Sequence, residues 1–386
     1  AVGVGDEIRK IAIPMYGRIM HDTEGNLTHQ PYGKDGQAIY SVSRGGVNAK
    51  MMDIAEKHGK AKIHYKEECT NVDLKKGIVY LKNSETGKVS EDKADVVFAA
   101  DGAFSAVRYN AMQKSARFNY SQHFIADGYR EILLPADSNG DYQLDKSSLH
   151  IWPRGRFMLI GLPNEDGSFT CTLFMPFEGE KNAFDNLDSK EKINDFFKTT
   201  FRDFYDMMPN IAEAWGDHPL SSLAIMRCKP WAIGKTALMG DSAHATVPFY
   251  GQGMNSGFED CTVLSDLMKK HDENWDLVFE EYNETRKADG DALQDLSVHN
   301  YHVMRDYVAD PDFLLQKKIE GHFSENHPEK WMPLYSQVSF SNIPYSEAWQ
   351  VGKKQDAIMK KVMGSFSNIE DMWDSKEVED KILNLI

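Results

Sequence analysis

The run from Thr236 to Asn255 constrains the fold of this chain more than any other stretch. A short apolar strand pattern, Thr236-Ala237-Leu238-Met239, leads into Gly240-Asp241. Ala243-His244, Pro248, Gly251-Gln252-Gly253 and Met254-Asn255 follow, and a helix pattern begins near Asn255. Glycines at 251 and 253 let backbone N–H groups approach a ligand without Cβ obstruction. The helix N-terminus behind them favours negative charge through its free donors and its dipole. Asp241, at a strand end, is placed to accept a hydrogen bond from a hydroxyl such as that of a sugar alcohol. A Gly-Asp pair alone carries little information. It recurs at Gly5-Asp6, Gly140-Asp141, Gly216-Asp217 and Gly290-Asp291, where turn preference predicts a surface turn. The specific signal is the ordered run of strand, Gly-Asp, Ala-His, Pro, Gly-x-Gly-x-Asn and helix.

A second run, Asp95-Val96-Val97-Phe98-Ala99-Ala100-Asp101-Gly102, has the same character. An apolar strand ends in Asp-Gly, and Ser105 and Arg108 lie four and seven residues beyond Asp101. In α/β sheets ligands bind outside the carboxyl ends of strands, which favours a ligand-contacting role for this run over a plain β-turn.

The rest of the chain bounds the setting. At roughly 150 residues per domain, 386 residues predict two or three domains. Acidic residues exceed basic ones by 59 to 44, a net charge of −15. That balance repels phosphate backbones and argues against nucleic-acid binding. No apolar run approaches the ~20 residues of a membrane span, and no basic, apolar leader opens the sequence. Cys69, Cys171, Cys228 and Cys261 are far apart and form no CxxC pair. We therefore expect neither a disulfide framework nor a zinc ribbon, and a soluble, cytoplasmic protein.

Patterning divides the chain. Ala1–Lys10 reads as the tail of a helix with no N-cap ahead of it. Residues 11–40 read as an extended hairpin around the turn Asp22–Asn26. Gly46–Gly59 is predicted to be a helix, followed by strands in IHYKE, GIVYLKN and VVFAAD. From about Tyr109 to Lys229, strands at Leu149–Trp152, Phe157–Leu162 and Phe169–Met175 are joined by polar turns and predict an antiparallel sheet. Glu191–Met208 is predicted to be an amphipathic helix. The helix after Asn255 is expected to bury a face with Phe258, Cys261, Leu264 and Met268, and the chain after His271 to be mostly helical.

Taken together, GDSAHATVPFYGQGMNSGFEDC, YSVSRGGVN, GRIMH, PYG, DLSVHNYHVMR and PLYSQVSFSNIPY resemble the class A flavoprotein aromatic hydroxylases, and within them the branch that hydroxylates kynurenine. The motifs span nearly the whole chain. The resemblance implies an α/β fold: an FAD-binding Rossmann-like domain of the para-hydroxybenzoate hydroxylase type, interrupted by an antiparallel β-sheet substrate domain, with a helical C-terminal region. It places the FAD-binding domain at 1–10, 41–108 and 230–272, the substrate sheet at 11–40 and 109–229, and the helical region at 273–386. That family also carries a strand–GxGxxG–helix unit, which no part of this sequence supplies. Gly3-Val4-Gly5-Asp6-Glu7-Ile8 has Ile8 in place of the third glycine. The resemblance therefore implies that the first βαβ unit is missing here, and that these residues alone hold FAD weakly.

The resemblance also implies roles. Arg44, Cys69, Asp101, Asp241, Met254 and Asn255 would contact FAD. Arg18 would hold the substrate carboxylate, a role that suits the rigid two-pronged donor of a guanidinium. Tyr32, Asn300 and Tyr335 would add further substrate contacts. Val303 stands where relatives can carry a glutamate. The implied reaction converts L-kynurenine to 3-hydroxy-L-kynurenine with NADPH and O2, through a flavin C4a-hydroperoxide. It belongs to tryptophan degradation and NAD biosynthesis. The substrate's own amine activates the ring, so no acid–base residue is expected. Relatives bound to membranes carry an apolar C-terminal anchor. The final stretch here, SFSNIEDMWDSKEVEDKILNLI, is too polar to span a bilayer and is expected to pack near the outer side of the substrate pocket. A hydroxylase for another aminoaryl or phenolic acid, and a silent fragment that binds aromatic acids without flavin, are the alternatives. No metal site is expected: His299 and His302 share a helix face but have no third ligand. No GxSxG elbow suggests a hydrolase, and His244 reads as structural rather than as a base.

Overall fold

A computed structural model describes residues 3–33, 36–115, 117–307 and 310–386. Its largest element is a seven-stranded sheet. In spatial order the strands are Ser221–Lys229, Asn119–Leu134, Phe169–Pro176, Met158–Pro163, Ser148–Pro153, Gly17–His21 and Leu27–Pro31. Neighbours run antiparallel except Ser148–Pro153 and Gly17–His21, which are parallel, with Leu149 opposite Arg18 and Ile151 opposite Met20. The hairpin that carries Arg18 is thus built into the large sheet.

The central strands of this sheet are buried on both faces. Side chains alternate across a pleated strand, so neighbouring residues enter different cores. Trp152, Leu159, Leu173 and Met175 face Phe197, Phe201 and Phe204 from the helices Lys190–Thr200 and Arg202–Met207 and the residue between them. Ile151, Met158 and Phe174 face the opposite way and pack with Val247, Phe249, Tyr301 and Met304. This second face carries Met20, and by register Arg18, and it meets the loop after Gly240-Asp241.

A smaller sheet holds both strand-end motifs. Val97–Ala99 and Thr236–Leu238 pair in parallel, with Ala232–Ile233 on the far side of the second strand. Being parallel, the two strands deliver Asp101-Gly102 and Gly240-Asp241 to the same edge. A separate three-stranded sheet contains Glu67–Asp73, Ile78–Asn83 and Val89–Lys93. Helices follow: Gly253–Lys270, the long Trp275–His302, Pro311–Asn326, Leu334–Phe340, Tyr345–Met363 and Lys376–Leu383.

Several expectations need correction. The opening helix is Gly5–Arg9, and residues 1–2 of the expected span lie outside the described residues. The next helix starts at Arg44, two residues early, because the Ser43 side chain accepts from the Gly46 N–H and caps it. IHYKE is not a strand: pairing begins at Glu67, and the turn at 85–87 leads instead into the exposed strand Val89–Lys93. The strands Asn119–Leu134 and Ser221–Lys229 have no clean alternation to reveal them, since their burial is irregular. The helix predicted at 191–208 breaks at Phe201, whose φ of −131° and ψ of 57° leave the helical region while its ring stays in the core. Gly5-Asp6 and Gly290-Asp291 are helical rather than turns. Gly290 sits in the long helix because Trp231 lies against it: a Cβ there would stand 2.7 Å from the indole ring.

The buried face of the helix Gly253–Lys270 also differs from expectation. Its buried residues are Ser256, Asp260, Leu264 and Leu267, while Phe258 and Cys261 are exposed. The buried stripe contains two polar residues, so apolar periodicity points to a neighbouring face.

The C-terminal helix Lys376–Leu383 packs Val378 and Ile382 against Ile319, Phe323, Met359 and Val362. No described helix is long and apolar enough to cross a membrane.

Candidate active site

Two neighbouring surfaces carry the residues of interest. The first is the edge shared by the two strand-end motifs. The Met239 N–H donates to the Ala99 carbonyl across the parallel pair (3.0 Å), and the buried Ser242 hydroxyl reaches the same carbonyl. Arg108, buried behind them, donates to the Ser242 carbonyl (2.6 Å) and to the Ala103 carbonyl, and lies over the Tyr120 ring. One guanidinium therefore ties the Asp101 loop to the Asp241 loop. Spacing in the sequence singles out Arg108 but gives it no role.

Both carboxylates on this edge are exposed. Asp101 accepts from the Val107 N–H (3.1 Å), which aligns the turn but leaves its second oxygen open. Cys69 is half-buried nearby. Burial first, and the charge of Asp101 second, push its thiol up from its ordinary value. Gly240 adopts φ 59° and ψ −142°, a backbone region open essentially to glycine alone. The packing is close here, since a Cβ on Gly257 would lie 3.6 Å from the Gly240 Cα. The first turn of the helix Gly253–Lys270 is thereby set beside Asp241. No side chain caps that helix, and its first backbone bond is Ser256 N–H to Gln252 O (2.9 Å). The N–H groups of Gly253, Met254 and Asn255 precede that bond and are available to a ligand. Arg44 is exposed on the first turn of its own helix and forms no ion pair with the described residues.

This donor set fits FAD. Two exposed carboxylates suit sugar-alcohol hydroxyls, and uncapped helix N–H groups suit the carbonyl oxygens of an isoalloxazine. At Gly102 and Gly251, both at positive φ, an added Cβ would meet nothing within 4 Å, so the loops leave open space. Exposed apolar side chains flank it, Phe104 at 76% and Met254 at 48%.

The second surface lies where the large sheet meets the loop 245–250. Arg18, Tyr32 and Tyr335 come together there. The Arg18 guanidinium carbon is 5.4 Å from the Tyr32 ring centroid and 5.7 Å from that of Tyr335. Its Nε is buried without a hydrogen-bond partner, and no carboxylate pairs with it among the described residues. Tyr335 stacks on Tyr32 (5.5 Å, 12°) and on Tyr250 (5.7 Å, 18°). Burial pushes all three phenols up, so they stay neutral donors. Asn300 joins through the loop: its amide donates to the Phe249 carbonyl (2.7 Å). Phe249 in turn packs between Phe174 (4.8 Å) and Tyr301 (4.3 Å). Val303, half-buried and apolar, opens a short π-helical stretch that ends the long helix.

Sequence reading misses Tyr250 as a member of the tyrosine stack, and it misses the buried partners of the Gly240 loop. The missed partners are Asp260 and Arg286; His244, which the sequence marks as structural, bonds Asp260 there. The one available signal is an acid four residues after Ser256 on a helix stripe that otherwise buries leucines.

A parallel pair whose strand ends carry open glycine loops, acids and an uncapped helix is the frame of an FAD-binding α/β domain. Residues 1–297 match the family model described as "FAD binding domain". Two proteins named kynurenine 3-monooxygenase are close in sequence. That of Flavobacterium johnsoniae is 49% identical over 386 residues, covering 100% of this chain and 85% of the relative. That of Flavobacterium psychrophilum is 48% identical over 385 residues, with the same coverage of 100% and 85%. Among solved structures, 2-methyl-3-hydroxypyridine-5-carboxylic acid oxygenase shares the fold, with a TM-score of 0.62, 18% identity and 78% of each chain covered. The chain belongs to the kynurenine 3-monooxygenase family of FAD-binding hydroxylases.

Proposed function

We propose that this chain hydroxylates L-kynurenine to 3-hydroxy-L-kynurenine, using FAD as prosthetic group and NADPH and O2 as co-substrates. The observation that carries the reading is the Arg18 guanidinium, without an ion pair among the described residues, beside the stacked Tyr32 and Tyr335 rings, in a chain whose near relatives bear that name over its full length.

The chemistry of these groups supports the assignment. A carboxylate and a planar aromatic ring on one substrate call for a two-pronged cation beside a flat apolar platform. Arg18 supplies the first, and the stack Tyr32–Tyr335–Tyr250 supplies the second. Tyr32 has a hydroxyl free to donate to the same carboxylate. Asn300 acts by holding the Phe249 carbonyl, and so the loop between substrate and cofactor surfaces. Phe174, Phe249 and Tyr301 exclude water from that junction. When bound, FAD supplies the activated oxygen and takes the reducing equivalents. Asp101, Asp241, Arg44, the Cys69 backbone, and the backbone groups of Met254 and Asn255 would hold it. The kynurenine amine enriches its ring, so the protein's share is placement and preorganised donors rather than acid–base catalysis.

We assign the flavin-binding part to 1–10, 41–108 and 230–272, the substrate sheet to 11–40 and 109–229, and the helical part to 273–386. Four free thiols, Cys69, Cys171, Cys228 and Cys261, support a reducing, cytoplasmic setting. The test is kynurenine-dependent NADPH oxidation with 3-hydroxykynurenine as product, measured with added FAD. Equal turnover of phenolic acids that lack the amino-acid head would overturn the substrate assignment.

A further inference from the structure

An ion cluster lies under the Gly240 loop, away from both open surfaces. Its centre is Asp260, at 0% exposure. Asp260 Oδ2 accepts from the Gly240 N–H (2.8 Å) and from His244 Nε2 (2.7 Å), and Oδ1 accepts from Arg286 Nε (2.8 Å). Arg286, 2% exposed, also donates to the Ser256 carbonyl (3.2 Å) and hydroxyl (3.0 Å). It pairs with Glu259 (2.9 Å) and reaches Asp289 (3.3 Å). Asp289 then accepts from both the N–H (3.0 Å) and the hydroxyl (2.7 Å) of Ser346.

The neighbouring residue makes a second link. Tyr345 Oη donates to Gln252 Oε1 (3.2 Å), which also accepts from the Asn255 side chain (2.8 Å). Tyr345 and Ser346 are the first two residues of the helix Tyr345–Met363. That helix therefore grips the loop at both ends: at Gly240 through three charged residues, and at Gln252 directly.

A buried cluster of this kind is weak evidence for stability, since well-packed apolar side chains of the same volume usually do as well. What apolar side chains cannot supply is an acceptor for the Gly240 N–H. Gly240 has a backbone conformation that points this donor inward. Without a partner it would be a buried, unsatisfied group, and the loop would relax.

We propose that Asp260 is a positioning residue for the flavin-binding loop, and that Arg286, Asp289, Ser346 and Tyr345 make the placement of that loop depend on the C-terminal helices. The proposal rests on the FAD reading for its effect on cofactor affinity, but not for the tie itself. The helix Tyr345–Met363 lies beyond the residues matched to the FAD-binding family, so cofactor affinity is set partly from outside that domain. Asp260 touches neither cofactor nor substrate surface and acts only through Gly240 and His244.

Three variants test it: Asp260→Asn, Ser346→Ala and Tyr345→Phe. The readouts are the FAD dissociation constant by flavin fluorescence, and amide exchange of the segments 239–246 (for Asp260→Asn and Ser346→Ala) and 250–256 (for Tyr345→Phe) in the cofactor-free protein. Asp260→Asn is expected to weaken FAD by roughly 10- to 100-fold, and each mild variant by roughly fivefold, as for one or two lost hydrogen bonds. Asp260→Asn and Ser346→Ala should speed exchange at 239–246, and Tyr345→Phe at 250–256, while KM for kynurenine at saturating FAD stays within about twofold of the parent. Should Asp260→Asn not fold, the two remote variants carry the test alone. Unchanged exchange at 239–246 in Ser346→Ala and at 250–256 in Tyr345→Phe would overturn the tie. A parent enzyme that binds no FAD, yet shows faster exchange in the variants, would remove the FAD reading and leave the tie standing.

Discussion

The Arg18 guanidinium stands 5.4 Å from the centre of the Tyr32 ring, with its Nε buried and unpartnered. A cation held this way, without a carboxylate among the described residues, is set to receive one from a ligand. Arg18→Met removes the charge and keeps the length. Losing a buried charged contact costs ~2–5 kcal/mol, so kcat/KM for kynurenine should fall by roughly thirty- to several-thousand-fold. Tyr32→Phe should cost about 1–2 kcal/mol, for one hydrogen bond. FAD content should not change in either variant. Turnover of Arg18→Met at the parental rate would leave Arg18 as a packing residue only.

Gly240 places the Asp241 loop through a backbone conformation that other residues avoid. Gly240→Ala should strain the loop by about 1–3 kcal/mol. Flavin titration should show weaker FAD binding, and calorimetry a lower melting temperature. Gly140→Ala, in an exposed loop at φ +85° with open space around it, is the comparison. It should lower stability without touching FAD affinity.

Arg108 joins the two strand-end loops through the carbonyls of Ser242 and Ala103. Arg108→Met leaves both acceptors without this donor and should cost roughly 2–4 kcal/mol of stability. Urea unfolding measures that loss. Arg108→Lys should recover only part of it, because an ammonium cannot reproduce the planar fork. A lysine variant as stable as the parent would show that charge alone suffices.

His150 gives the protein an acid-sensitive stability. Its Nε2 meets the Asp145 carbonyl (2.9 Å), its Nδ1 meets His21 Nε2 (2.9 Å), and His21 Nδ1 reaches Asp203 (2.7 Å). Burial, with the neighbouring His21 opposing a further charge, lowers His150 from 6.5 to about 4. Between those values the unfolded chain takes up a proton that the folded chain does not. Stability should therefore fall as pH drops from about 6.5 to about 4, by up to about 3 kcal/mol. Urea midpoints at a series of pH values check the slope, and His150→Gln should flatten it. A slope that persists in this variant would assign the effect to other groups.

Much of the site is legible in the amino-acid sequence. The Gly240-Asp241 run and the Asp101-Gly102 run carry their own local geometry: strand, tight glycine turn, helix start. Side-chain identity at those turns is dictated within a few residues, so spacing alone reports it. The Arg18 hairpin and the three middle strands of the large sheet are legible for a similar reason, since turn residues punctuate them. The face of the helix Gly253–Lys270 is not. Ser256 and Asp260 are polar yet buried, and nothing near them in sequence announces the distant Arg286 that makes the burial tolerable. Phe201 likewise looks like one more helix residue until the sheet behind it demands a bend.

By itself the sequence determined the family and the two loop motifs, and it singled out the residues proposed here to meet a flavin and a carboxylate, because each motif is written in short spacings that local backbone chemistry enforces. Only the tertiary structure decided that Arg18 and Tyr335, more than three hundred residues apart, share one aromatic cluster, and that the first turn of the helix Tyr345–Met363 is bonded to the loop at Gln252 and linked to Gly240 through Asp289, Arg286 and Asp260. Such contacts depend on how sheet and helices close on one another, and a burial pattern records that a residue is covered without recording by what.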